Sequence, residues 1–81
     1  MDMELKDTIE MMTSTDYKER FKAEYYQLAI RIDKLRRTVD NYSELPFKPA
    51  CSKSLLNRQL SYMLEYKSAL LTRANIENII L

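Results

Sequence analysis

The chain has 81 residues, 46% of them apolar and 31% charged, with a formal net charge of +1. That length holds one small domain, the apolar share is too high for a disordered chain, and the near-neutral total excludes a generally basic nucleic-acid binder. There is no glycine, no histidine and a single cysteine, which removes glycine-rich phosphate loops, imidazole catalysis, histidine-bound zinc and any intramolecular disulfide.

The missing glycine also argues against hairpin turns and bulges, so the expected fold is all-α. A lone Cys51 points to a reducing cytosol, no apolar run reaches membrane-spanning length, and the acidic start does not resemble a signal peptide. A soluble intracellular protein is expected. Charge is unevenly spread: Met1 to Asp16 carries five acids against Lys6, and Arg31 to Arg37 carries four bases against Asp33. Such a local basic patch suits an anion.

In chain order, Leu5, Ile9 and Met12 have helical spacing and predict a short arm, within residues 1–15, that is stable only when docked. Met11 and Met12 suit an adaptable contact surface or ordinary core filling. Thr13 to Asp16 breaks the pattern with cap-forming residues, and Asp16 with Glu19 fits a capping box. A long helix over 16–42 follows. Phe21, Tyr25, Leu28, Ile32, Leu35, Val39 and Tyr42 repeat at spacings of four and three, a heptad seam for packing on another helix.

Pro46 and Pro49 mark a loop over 43–52, with Phe47 expected to fold back over the hairpin end. Ser52 or Ser54 caps a second helix over 53–75, followed by an apolar tail over 76–81. This helix carries an aliphatic seam of Leu56, Leu60, Met63, Leu70 and Ala74, interrupted by Lys67. Beside it runs a more aromatic one of Leu55, Tyr62, Tyr66 and Ala69, interrupted by Gln59. On the first helix Ala23, Tyr26, Ile30 and the stem of Arg37 lie opposite the main seam, where a bare hairpin leaves them in water.

The expected architecture is therefore a long antiparallel helical hairpin with a short N-terminal helical arm, assembling as a homo-oligomeric helical bundle, a dimer or a dimer of dimers. The residues expected at the oligomer interface are Tyr26, Ile30, Tyr62, Tyr66, Ile76 and Ile80.

No catalytic residue, metal ligand or cofactor site is expected, and the chain is not read as an enzyme. What remains for ligand chemistry is an aromatic and cationic flank on the long helix. Tyr17, Arg20, Glu24, Gln27 and Arg31 run along one side, with Tyr25 and Lys34 nearby. Tyr17 or Tyr25 would stack on a base, and Arg20, Arg31 or Lys34 would hold phosphate, with Glu24 among them. The competing reading of Arg20, Glu24 and Arg31 is an ion-pair ladder on a solvated face.

The pattern Tyr17-Lys18-Glu19-Arg20-Phe21, Glu24-Tyr25, Leu28, Arg31-Ile32 and Lys34-Leu35 is followed by Leu55-Leu56, Gln59-Leu60, Met63, Tyr66 and Arg73. It resembles a family of very short phage proteins related to a protein of a crAss-like phage. That resemblance covers about Tyr17 to Arg73 and implies a phage origin and a helical hairpin, with no activity attached. A looser, architectural similarity is to phage sponges that cage the cyclic-nucleotide signals of CBASS-type immunity between subunits.

The functional expectation is accordingly a phage counter-defence protein in the cytoplasm of the infected bacterial host. It would bind and sequester a cyclic di- or oligonucleotide immune signal without cleaving it. The alternatives are a helical protein that binds and inhibits a host protein, and a structural or DNA-associated phage protein. Neither a membrane nor a nucleic acid polymer is an expected partner.

Overall fold

Two long helices are set by their caps. In the computed structural model, which describes residues 3–81, the Asp16 carboxylate accepts from the Lys18 N–H at 2.9 Å and starts α2, Tyr17–Asp40. The helix stops at Asn41, whose backbone and side-chain N–H groups both donate to the Arg37 carbonyl, at 3.1 and 2.9 Å. Those two bonds satisfy a terminal carbonyl and end α2 before Tyr42, which enters a 3-10 turn over Tyr42–Glu44 instead of extending the helix.

Ser52 caps α3, Lys53–Glu77, its hydroxyl accepting from Leu55 N–H at 3.1 Å. α3 runs two residues past the expected end. Its terminator is Asn78, in the left-handed region at φ 57°, a conformation asparagine tolerates better than most residues. The Ile79 N–H then donates back to the Ala74 carbonyl at 2.8 Å, which reverses the chain.

That reversal, with Ile76 and Glu77 still helical, corrects the reading of residues 76–81 as a single apolar tail. Ile79 is buried and Leu81 packs partly on the core, while Ile76 and Ile80 stay exposed, at 72% and 86%. The core itself is the α2–α3 seam: Phe21, Leu28 and Ile32 from α2 meet Leu70 and Ala74 from α3, with Ile79 closing the end. Lys67, the charged interruption of the aliphatic seam, keeps its stem half-buried and its ammonium 5.9 Å from the centre of the Tyr25 ring.

The N-terminal arm is a 3-10 turn over Leu5–Thr8 followed by α1, Ile9–Met12. Asp2, counted among its acids, lies outside the described residues. The arm packs on the face of α2 opposite α3. Thr8 is fully buried there; its hydroxyl donates to the Leu5 carbonyl at 2.7 Å and accepts from Gln27 Nε2 at 2.9 Å. Ala23 beneath it is 1% exposed. Ala23, which a bare hairpin would leave in water, is thus covered by the docked arm, whose close approach its methyl side chain allows. Tyr26 and Ile30, further along, are half-buried.

The loop end of the hairpin is thinner. Phe47 does not fold back over it but is 64% exposed; the closing contact is the Tyr42 hydroxyl donating to the Cys51 carbonyl at 2.7 Å. No helix among the described residues is long and apolar enough to cross a membrane.

Candidate functional site

The six residues of the expected binding flank fall in different surroundings. Tyr17 is exposed at the first turn of α2. Arg20, also exposed, donates from Nη1 to the Ser14 carbonyl at 2.8 Å and so braces the turn between the arm and α2. Glu24 and Arg31 are exposed. Among the described residues Arg20, Glu24 and Arg31 form no ion pair, so the ladder that their spacing allows is not made. Gln27, between them, is turned to the arm. Tyr25 is half-buried at the α3 seam, edge-on to Tyr26 at 5.5 Å and 73°. Lys34 points elsewhere, into a cleft.

That cleft lies where the cover supplied by the arm ends. It encloses about 640 Å³ between the start of the arm and α2, lined by Met3, Glu4, Tyr26, Ala29, Ile30, Asp33, Lys34 and Arg37. The α2 residues follow from helix geometry: Tyr26, Ile30, Lys34 and Arg37 are spaced by four, four and three and share one face. Its size lies within the ~300–1,000 Å³ usual for small-molecule sites.

The cleft is part apolar and part charged. Tyr26 and Ile30 form its apolar wall, and the Tyr25 ring at right angles steadies Tyr26. Arg37 donates from Nε to the Asp33 carbonyl at 3.3 Å, which orients the guanidinium and leaves its terminal N–H groups for an acceptor. Of the two carboxylates, that of Glu4 is already engaged, 3.4 Å from Lys6 Nζ. Lys34 and Arg37 therefore face one unengaged carboxylate, that of Asp33, and among the described residues neither cation is in an ion pair. An anion gains charge-assisted bonds there, bidentate ones from the arginine.

The expected flank and this cleft share one residue, Lys34. Arg37 entered the sequence reading as one of the four bases of the Arg31–Arg37 patch and as a stem on the second stripe, and Tyr26 and Ile30 only as oligomer packing. The four-four-three spacing that unites them was legible; the wall contributed by Met3 and Glu4 was not, because it depends on where the arm docks. Cys51 is exposed just before α3, and among the described residues no cluster of acid and thiol side chains is built to hold a metal ion.

A family model described as Sequestin matches residues 15–76. No curated protein and no solved structure matches the chain. The matched span takes in α2, the loop and α3 up to its penultimate residue, so it holds the whole α2 wall of the cleft and leaves the arm outside. Because that span is well over half of the chain, the protein belongs to the Sequestin family.

Proposed function

We propose that this protein is a sponge. It binds a cyclic di- or oligonucleotide immune signal and holds it without cleaving it, as a phage counter-defence protein in the cytoplasm of the infected host. The observation that carries the reading is the cleft, in which the Tyr26 ring and the Lys34 and Arg37 cations line one open volume of about 640 Å³. A base stacks on the tyrosine, and phosphate oxygens take the ammonium and the free guanidinium edge. The family's name, Sequestin, speaks for sequestering. A chain without histidine, and with its one cysteine exposed far along the sequence, also suits holding better than cutting.

Titration calorimetry against a panel of cyclic nucleotides tests this. A charge-assisted phosphate contact contributes about 2 kcal/mol, so Arg37→Ala should weaken binding by about thirtyfold, and Tyr26→Ala by a similar factor. Arg20→Ala, which alters only the turn brace, should leave affinity within about threefold of wild type by the same scale. Absence of heat with every nucleotide would overturn the reading. A weakening confined to Tyr17, Arg20 and Arg31 variants would move the site to the exposed flank.

A second reading, a protein that docks on a host protein and blocks it, is favoured by the exposed Ile9 and Met12 of the arm and by Ile80 after α3. It predicts a specific host protein that is captured equally by wild type and Arg37→Ala, and lost on Ile80→Glu.

A further inference from the structure

We propose that two copies of this chain pair antiparallel along the outer face of α3, independently of what the cleft holds. Leu55, Tyr62, Tyr66, Ala69, Arg73 and Ile76 repeat at spacings of seven, four, three, four and three. They lie one step round the helix from the seam that meets α2. Tyr62 is 64% and Ile76 72% exposed, and Leu55 and Tyr66 are exposed beside them. A stripe that keeps a heptad period over some 33 Å of helix fits a straight partner with the same period, and among the described residues α2 meets the other seam of α3 and the arm packs on α2.

The order of residues along the stripe selects a second copy as that partner. With the two-fold axis beside Lys67 and Ser68, Tyr66 of one copy meets the small Ala69 of the other. Tyr62 then meets Arg73, and Ile76 meets Gln59. One pairing sets a ring against a methyl group and another sets a ring against a guanidinium. Arg73 is already set for this: it lies 4.8 Å over the Phe21 ring on one side and 3.4 Å from the Glu77 carboxylate. Its charge is paired and its outer face is open. A parallel, in-register pair would instead bring Arg73 against Arg73 and Arg58 against Arg58, like charges in contact.

The test is the mass in solution by sedimentation equilibrium at tens of micromolar. Wild type should sediment as two chains, and Ala69→Glu as one, with its helical circular dichroism retained. Ser61→Glu, on a face away from the stripe, should remain two chains. A wild type of one chain, an Ala69→Glu variant that still pairs, or a Ser61→Glu variant that falls to one chain would each overturn the proposal. Orientation is read in a Cys51→Ser background. A mixture of Gln59→Cys and Ile76→Cys chains should form the mixed disulfide on oxidation. Disulfide formation within each variant alone, without the mixed product, would overturn the antiparallel arrangement.

Discussion

α2 and α3 are nearly equal in length, and each carries two apolar stripes, yet the chain treats them differently. α2 is covered on both sides, by α3 along the Phe21–Val39 seam and by the arm at Ala23 and Gln27. α3 is covered on one side only, and its second stripe stands in water with Tyr62 at 64% exposure. The difference lies in connectivity. The arm is joined to the start of α2 by a four-residue turn, Thr13 to Asp16, and folds straight back onto it, whereas the chain after α3 turns at Asn78 and puts Ile79 under the end of the hairpin, away from the second stripe. Stability within one chain should therefore depend on both faces of α2 and on the inner face of α3 alone.

The seam between the helices should give the largest loss. Ile32 is 1% exposed at its centre, and Ile32→Ala should cost about 3 kcal/mol in chemical denaturation, from the lost transfer energy and the cavity it leaves. The arm's seat comes next. Ala23→Leu overfills it and should cost about 2 kcal/mol, with amide exchange in residues 5–12 accelerating by more than that in α2.

Removing the Thr8 hydroxyl as Thr8→Val strips the Gln27 amide of its buried partner and should cost about 1 kcal/mol. Asn78→Ala places a Cβ without side-chain hydrogen-bonding at a left-handed position and should also cost about 1 kcal/mol, while Asn78→Gly should cost nothing measurable. The smallest effect belongs to the outer face of α3. Ala69→Leu, the same change as at Ala23, should alter stability by less than about 0.5 kcal/mol when measured at a dilution at which the chains are apart. Equal losses at Ala23 and Ala69 would erase the distinction between the two helices.

Much of the hairpin was legible in the sequence because it is written in local periods. The four-and-three spacing of Phe21 to Val39 and of Leu56 to Ala74 marks the faces that meet, and Asp16 and Ser52 mark the starts. The arm was legible as a helical segment that must dock, but not its seat, because the Thr8–Gln27 bond joins residues 19 apart and leaves no period. The end of α3 follows from a backbone property: Asn78, rather than Asn75, takes the left-handed turn, and Ile79 is buried just beyond it. Phe47 was misread because two flanking prolines fix a loop's stiffness but not its direction. Of the candidate site, the face through Tyr26, Ile30, Lys34 and Arg37 could be drawn on a helical wheel. Its becoming a cleft depends on Met3 and Glu4, which are brought there by tertiary packing.

The cleft is the place where the arm's cover of α2 gives out, and the proposed function turns on what fills it. The most direct measurement is to incubate the pure protein with a mixture of cyclic di- and oligonucleotides, remove it by filtration, and then heat the retained fraction. At least one nucleotide should be depleted from the filtrate and return intact on heating, and Arg37→Ala should deplete it less. A mixture left unchanged, or a depleted nucleotide that returns as cleavage products, would contradict the proposed function.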